Sequence, residues 1–303
     1  MAFDFPSNHP RVAYFDRAIT AINGSANAAL DVQPNPGDKI YPGVETLDAV
    51  RAGVVDLGWI NAAHLEAIDP RLGAINLPFG LDDNAMKSAS ARAGAIRFMN
   101  EFCRPHGLRA LAIMRGADQI FVTKNSRLKT LSDIHGLRVR VAGGGVYEAI
   151  IRSIGARPVA IPIPHVLPAI NQTDVDCVFT SPGAWQTLFA NDLPYGTRVP
   201  GLMMINYVLL AGDAFCSALP SNAYGTIETE FERHVTNAWH DMASDDAKIL
   251  RAIGRRGASV QTVLDRESWL QATSKVRTEF SAAWPGILGK LSEATGVSLG
   301  DRR

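Results

Sequence analysis

Residues 137–151 read LRVRVAGGGVYEAII, and this stretch decides the fold class. Apolar and basic side chains alternate over residues 137–141, which predicts a β-strand. The glycine turn 143–145 follows, and the apolar spacing of residues 146–154 is typical of an amphipathic helix. A strand that leads through a short turn into a helix is the building unit of α/β folds. We therefore expect helices layered on a largely parallel sheet.

The same pattern occurs in two other parts of the chain. Residues 43–60 and 166–179 each combine a helix with a following buried strand, and equivalent positions are 120 residues apart. This similarity predicts two lobes of similar construction. It also places Trp59 and Phe179 at equivalent strand ends. Because ligands bind at the carboxyl ends of strands in open α/β sheets, each lobe is expected to contribute one aromatic side chain.

Further elements follow from the spacing of apolar residues. We predict a short strand at residues 29–32 and a long helix at 83–103, capped by its first residues. Residues 221–254 contain no proline and have helical spacing throughout. They predict either one long strut that crosses both lobes or two helices with a break near Ser244.

The composition excludes several classes of protein. The chain has 303 residues, of which 47% are hydrophobic, and its 30 basic and 30 acidic residues give a formal net charge of zero. A nucleic-acid-binding surface needs a basic excess, so we expect no nucleic-acid partner. No apolar run approaches the roughly 18 residues that span a bilayer. An anionic ligand must therefore be bound locally, by one or two cations.

The first residues leave the localisation open. The chain begins MAFDFP, without the basic segment, apolar stretch and cleavage site of a leader. One interpretation is a cytoplasmic protein. The other is a mature domain that has lost its leader and gained a new Met1, so the localisation has to follow from the function.

Sequence motifs of enzymes and metal sites are absent. The chain has no HExxH, GxSxG, Walker or GxGxxG motif, and its seven histidines lack metal-ligand spacing. We expect no cofactor and no metal. The three cysteines are Cys103, Cys177 and Cys216. A Cys103–Cys216 disulfide is conceivable, but the odd number and wide spacing favour three buried thiols.

The strand and turn of residues 137–145 contain two candidate anion-binding features. Arg140 lies near the carboxyl end of the strand, where its planar guanidinium could pair with a ligand carboxylate or form a structural ion pair. Arg138 is expected to face solvent or to pair with another element. The turn 143–145 could bind an anion through free backbone N–H groups, or it could only supply a positive φ.

Motifs in a fixed order extend this picture. Residues 131–141 (LSDIHGLRVRV), 154–159 (IGARPV) and 169–176 (AINQTDVD) follow residues 47–56 and the tripeptide LPF at 77–79. In order and spacing they resemble the solute-binding proteins of TRAP (tripartite ATP-independent periplasmic) transporters. That family has the motifs L-x-x-V-x-x-G-x-x-D, L-P-F, D-L-K-G-L-K-I-R-V, L-G-A-x-P-V and A-L-Q-T-G-V-D-G.

The resemblance implies an α/β, two-lobed periplasmic-binding-protein fold with a ligand cleft between the lobes and a long connecting helix. Lobe I would comprise residues 1–121 and 205–250, and lobe II residues 122–204 and 251–303. The expected function is that of a periplasmic receptor. It closes by hinge motion around a small organic acid and delivers it to the membrane permease subunits of the transporter. We expect a monomer.

The resemblance also implies site residues. Arg140 matches the arginine with which the family binds a ligand carboxylate. The other candidate ligand-binding residues are His9, Trp59, Asn61, Tyr147, Phe179, Thr180, Trp185 and Tyr207.

Departures from the family pattern bear on the ligand. Many members carry a second arginine where this chain has Gln119 and Ile120. Thr180 occupies a position that is often asparagine, and Cys177 replaces a glycine. A second carboxylate or a sugar acid therefore has less support, which favours a smaller or more apolar monocarboxylate.

Alternative functions stay open at this level. An enzyme on a similar two-lobed scaffold could act on a small carboxylate, and it would need an acid–base pair near Arg140. A ligand-sensing module of a transcription factor would need a DNA-binding region, and the sequence shows none. A cytoplasmic soluble receptor is compatible with the missing leader.

Overall fold

The computed structural model describes residues 1–3, 7, 11–25, 30–36 and 44–299. Within these residues, helices pack on two separate β-sheets. The architecture is α/β, as residues 137–151 predict.

The first sheet has five strands: β1 (Ala2–Phe3), β2 (Asn35–Pro36), β3 (Leu57–Asn61), β4 (Leu108–Asp118) and β10 (Met204–Gly212). Their order is β2-β1-β3-β10-β4. β1 pairs in parallel with β2 and β3, whereas β10 runs antiparallel to both of its neighbours.

The second sheet has six strands: β5 (Ile120–Thr123), β6 (Arg138–Val141), β7 (Arg157–Ala160), β8 (Cys177–Thr180), β9 (Tyr195–Arg198) and β11 (Ser259–Thr262). Their order is β11-β9-β5-β8-β6-β7. β5 is antiparallel to both of its neighbours, and the other pairs are parallel. Each sheet is thus largely parallel, as predicted, and contains one antiparallel strand that the sequence analysis did not identify.

The helices cover the faces of both sheets. The α-helices are α1 (Val12–Asn23), α2 (Val44–Arg51), α3 (Asp83–Met86), α4 (Ala89–Cys103), α5 (Gly145–Ser153), α6 (Val166–Asn171), α7 (Pro182–Ala184), α8 (Asp213–Ala218), α9 (Ser221–Arg255), α10 (Arg266–Ala283) and α11 (Ile287–Thr295). Short 3₁₀ helices lie at Ala62–Ala67, Pro70–Asn76, Arg104–His106, Leu131–Ile134 and Ile163–His165, and a π-helical turn at Trp185–Phe189.

Two predicted elements were wrong. Residues 30–34 form no strand, and the short strand β2 lies further along the chain. The predicted helix at 83–103 is two helices, α3 and α4, because each has its own cap. The carboxylate of Asp82 accepts from the Ala85 N–H at 2.9 Å, and the hydroxyl of Ser88 accepts from the Ala91 N–H at 3.5 Å.

Helix α9 is the single long strut that was one of the two predicted alternatives. It runs through Ser244 without a break. Its first part packs in the core of the first sheet, where the Trp239 indole N–H donates to the Ile113 carbonyl of β4 at 3.1 Å. Its last part, with Leu250 and Ile253, packs in a core of the second sheet. The helix therefore spans both sheets.

The chain also crosses between the sheets at two neighbouring segments. β4 leads into β5 through Gln119, and β9 leads back into β10 through residues 199–203. The two crossings pair with each other, because the Gln119 N–H donates to the Met203 carbonyl at 3.0 Å. A pair of short crossing segments is a natural place for rotation between two rigid sheets.

The predicted lobe boundaries stay a prediction. The packing of α11 bears on the assignment of residues 251–303. Ile287, Leu291 and Leu299 belong to the core of the first sheet, and α11 lies against α4. The approach is so close that a Cβ added to Gly94 would lie 1.8 Å from the Ala294 carbonyl oxygen. α10, in contrast, packs on α5 beside the second sheet.

The three cysteines are buried free thiols, as the sequence favoured.

Candidate functional site

A cavity of about 270 Å³ lies between the two sheets. Its polar lining comes from the ends of strands and from the crossing strands. Asn61 ends β3, Thr180 ends β8, Arg140 is the penultimate residue of β6, and Tyr207 projects from β10. The full lining is Val44, Glu45, Asn61, His64, Gln119, Arg140, Ala142, Tyr147, Ala160, Ile161, Pro162, Ile163, Pro164, Phe179, Thr180, Ser181, Ala184, Leu188, Ile205 and Tyr207.

Arg140 is the cation in the described lining of this cavity. Its side chain is buried, with a relative exposure of 3%. Its Nε donates to the Ile161 carbonyl at 2.9 Å, which fixes the plane of the guanidinium. Within the described part of the chain, no carboxylate pairs with it. Burial lowers the pKa of Arg140 to about 10, so the group stays charged at neutral pH.

Arg138 lies two residues earlier on the same strand and has a different environment. Its Nε and Nη2 donate to the two carboxylate oxygens of Asp176, at 2.9 and 2.7 Å. Both side chains are about one-third exposed. This ion pair agrees with one of the two predictions for Arg138, that it pairs with another element. Arg140 is then the arginine that lines the cavity.

His64 faces the cavity from the first sheet. Burial, and to a lesser degree the charge of Arg140, lower the pKa of His64 to about 4. The imidazole is therefore neutral at pH 7, and it can exchange hydrogen bonds with a ligand without adding a second positive charge.

The glycine turn 143–145 does bind a carboxylate, and that carboxylate belongs to the chain itself. Glu66 lies on the 3₁₀ helix that follows β3, and it accepts from the Val146 N–H at 3.3 and 3.2 Å. Gly144 has a φ of +91°, and a Cβ there would lie 2.7 Å from the Ala63 carbonyl oxygen. Burial raises the pKa of Glu66 to about 7, with the backbone donors opposing and the charge of Glu148 adding. The helix start is thus occupied by a side chain from the first sheet.

Glu66→Gln is expected to change how stability depends on pH. The ordinary pKa of a glutamate is 4.5, and the pKa of Glu66 in the folded protein is about 7. At a pH between these two values, the folded protein keeps a proton on Glu66 that the unfolded chain has released. The wild type therefore loses roughly 3 kcal/mol of stability as the pH rises through this window. The glutamine variant lacks this loss. Its stability relative to wild type should rise by about that amount, measured by urea unfolding from pH 4.5 to about 8.

His64→Gln serves as a control with the opposite sign. Because the pKa of His64 is lowered from 6.5 to about 4, the wild type loses stability as the pH falls through that range. The glutamine variant should lack that loss. Differences from wild type that do not vary with pH would contradict both assignments.

The structure brings six of the nine predicted site residues together. Arg140, Asn61, Tyr147, Phe179, Thr180 and Tyr207 all line the cavity. His9 lies outside the described residues.

The two predicted tryptophans lie elsewhere. Trp59 is two residues inside β3, in the core of the first sheet, where its ring packs 5.0 Å from Phe15 and 5.7 Å from Phe231. Trp185 follows α7, and its indole N–H donates to the Leu193 carbonyl at 2.9 Å within a core of the second sheet. Contrary to the prediction, neither ring lines the cavity, because Trp59 faces the core of the first sheet and Trp185 faces a core of the second.

Several lining residues were not predicted. His64 carries a side chain that the motif comparison does not single out, and Gln119 was noted only as a departure from a family arginine. The run AIPIP at residues 160–164 forms one wall. The run begins at the carboxyl end of β7, and ligand-binding loops follow the carboxyl ends of strands in α/β sheets.

The comparisons with known proteins decide the family. The model of the "bacterial extracellular solute-binding protein, family 7" matches residues 4–283. The chain belongs to this family. Family 7 consists of solute-binding receptors, so the resemblance to TRAP solute-binding proteins is confirmed. None of the helices within the described residues is long and apolar enough to cross a membrane.

Relatives and solved structures agree with this assignment. The C4-dicarboxylate-binding periplasmic protein of Rhodobacter capsulatus is 21% identical over 259 residues, or 84% of this chain and 78% of that protein. A TRAP periplasmic solute-binding protein of Desulfovibrio desulfuricans with bound sn-glycerol-3-phosphate has a TM-score of 0.89 at 19% identity, covering 100% of this chain and 98% of that one. An extracytoplasmic solute receptor of Bordetella pertussis that binds pyroglutamic acid has a TM-score of 0.87 at 16% identity, covering 98% of each chain. The two-lobed family 7 fold is thereby established.

Proposed function

We propose that this chain is the extracytoplasmic receptor of a TRAP transporter. In this role it binds a small organic acid through Arg140 and delivers it to a membrane permease. The observation that carries the proposal is a buried guanidinium that faces a cavity between two sheets, with no carboxylate partner among the described residues. A buried charge without a counterion is unfavourable, and an anionic ligand would supply that counterion.

The ion pair between Arg140 and the ligand carboxylate would couple closure of the two sheets to ligand binding. When the sheets separate, water reaches Arg140, and when they close on a carboxylate the ion pair is desolvated and strengthened. The crossing segments at Gln119 and Met203 allow such a rotation, while α9 keeps the two sheets connected. Six cavity residues support this proposal as ligand contacts: Arg140, Asn61, Tyr147, Phe179, Thr180 and Tyr207.

The alternative is an enzyme that acts on a small carboxylate. It would need an acid–base pair beside the ligand. In the described lining, His64 has a pKa of about 4, which makes it a weak base, and Glu45 is exposed. Glu66, whose pKa is about 7, points into the turn at the start of α5. We infer a receptor rather than a catalyst.

A thermal-shift screen tests the proposal. The purified protein is heated with a library of small organic acids and with the neutral amide of each acid. A ligand at about 100 times its dissociation constant stabilises the folded state by about 2.7 kcal/mol, which gives a clear shift. We expect one class of acids to stabilise the protein and the matching amides to have no effect. A response to no acid, or an equal response to the amides, would contradict the proposal.

A further inference from the structure

We propose that the ligand is a monocarboxylate whose remaining part is apolar and carries no second charge. This inference rests on the proposed function and names the substrate class of the same cavity. It follows from the juxtaposition of one buried guanidinium with an apolar wall, in a cavity where several of the other polar groups already have partners.

The wall at residues 160–164 is the first of these features. It carries only Ala, Ile and Pro side chains, and all five residues line the cavity. Pro162 and Pro164 have no backbone N–H to offer a ligand. The Ile161 carbonyl already accepts from Arg140 Nε. The face beside the guanidinium is therefore suited to hydrocarbon, which gains about 25 cal/mol for each Å² of surface that it buries.

Several polar groups of the cavity already have partners within the protein. The Ser181 hydroxyl accepts from the Ala184 N–H at 3.1 Å, and the Asn61 side-chain oxygen accepts from the Ala63 N–H at 3.0 Å. Gln119 Nε2 lies 3.6 Å from the sulfur of Met203. A sugar acid would bring several hydroxyl groups into this space, and each buried hydroxyl without a partner is unfavourable.

The charges of the cavity also favour a ligand with a single carboxylate. On the side of the second sheet, all residues from 119 to 199 are described, and Arg140 is the cation among those that line the cavity. On the other side, the described lining contributes the neutral His64 and the acidic Glu45. A second carboxylate would thus lose its water without gaining a counterion in the described lining.

Among the described residues, two exposed apolar side chains lie at the rim of the cavity. Val44 is 44% exposed and Ile163 is 37% exposed, and both line the cavity. They belong to the four large apolar side chains that stand out as exposed in the described residues. An apolar ligand would cover this surface and remove it from water.

Four acids with six carbons each separate the possible classes. Isothermal titration of the full chain uses isocaproate, adipate, glucuronate and leucine, with the neutral isocaproamide as control. We expect isocaproate to bind at least about tenfold more tightly than the dicarboxylate, the sugar acid and the amino acid. Equal or tighter binding of any of these three would overturn the inference.

The outcomes distinguish this inference from the function on which it rests. If adipate, glucuronate or leucine binds best and Arg140→Ala abolishes that binding, the receptor function stands and the apolar class is wrong. If no acid binds, or if isocaproamide binds as well as isocaproate, the carboxylate receptor itself is wrong and the inference falls with it.

A variant at the rim tests the charge argument directly. Ile163→Arg places a second cation beside the cavity, and it should shift the ratio of adipate to isocaproate affinity by about tenfold towards adipate. The matched control is Val54→Arg, at a position that is 66% exposed and does not line the cavity. It should leave the ratio unchanged. An unchanged ratio in Ile163→Arg would overturn the assignment of this rim as the selecting surface.

Discussion

Replacing Arg140 with alanine is expected to weaken binding of the acid ligand by about 2–5 kcal/mol, which is roughly 30-fold to several thousand-fold in the dissociation constant. The reason is the burial of this side chain. Water cannot replace the guanidinium in the closed cavity, so the ligand carboxylate would be left without a counterion. Isothermal titration with the acid that gives the largest thermal shift measures the effect.

Arg138→Ala is the matched control. This arginine lies on the same strand, but it pairs with Asp176 near the surface and does not line the cavity. Its removal should leave the ligand dissociation constant within about twofold, since surface ion pairs contribute little. Equal losses in both variants would indicate damage to β6, and micromolar binding retained by Arg140→Ala would refute the role of Arg140.

The stability of the ligand-free protein gives a second test of the role of Arg140. Burial lowers the pKa of Arg140, which means that the fold disfavours its charge. Arg140→Met keeps most of the volume and removes the charge. The melting temperature of the empty protein should therefore stay equal or rise while acid binding is lost. A strongly lowered melting temperature would indicate a structural role for Arg140.

Local patterns predicted much of the fold because they depend on neighbours in the chain. The strand, turn and helix of residues 137–154 and the helix at 221–254 follow from spacing that packing then preserved. Arg140 was identifiable because it lies near the carboxyl end of the strand and matches the arginine of the family motif. The split of α3 and α4 was missed because Ser88, which caps α4, lies within the apolar pattern of residues 83–103.

Contacts between distant segments set the limit of prediction. Glu66 and Val146 are 80 residues apart, and no local pattern indicates that this carboxylate fills the glycine turn. The pKa of His64 depends on burial that arises only when the two sheets face each other. Trp59 was expected at a strand end, but it lies two residues inside β3 and its ring packs under α1 and α9. Whether an aromatic side chain faces the cavity or the core therefore depends on the packing of distant helices, which the strand pattern does not contain.

A buried network of charges fixes α9 to the first sheet. Arg115 of β4 is 1% exposed, and its guanidinium contacts Asp246 of α9 at 2.5 Å and Asp83 of α3 at 2.5 and 3.1 Å. Arg11 contacts the other oxygen of Asp246 at 2.5 Å. Burial alone would lower the pKa of Arg115, but Asp83, Asp246 and Asp118 together raise it above its ordinary value. The network lies four residues before the crossing at Gln119, so it holds the strut beside the hinge.

Arg115→Ala is expected to destabilise the protein by about 3–5 kcal/mol, because it leaves the buried carboxylate of Asp246 and the partly exposed carboxylate of Asp83 without this counterion. For a chain of this size the melting temperature should fall by roughly 5–8 °C. Arg109→Ala is the control on the same strand. Its partner Asp213 is 42% exposed, so this pair should contribute at most about 1 kcal/mol. Thermal unfolding of both variants at neutral pH makes the comparison. Similar small losses of stability in both variants would show that the buried network does not hold α9 in place. A large loss confined to Arg115→Ala, with acid binding retained below the transition, would show that the network stabilises the strut and does not serve ligand binding.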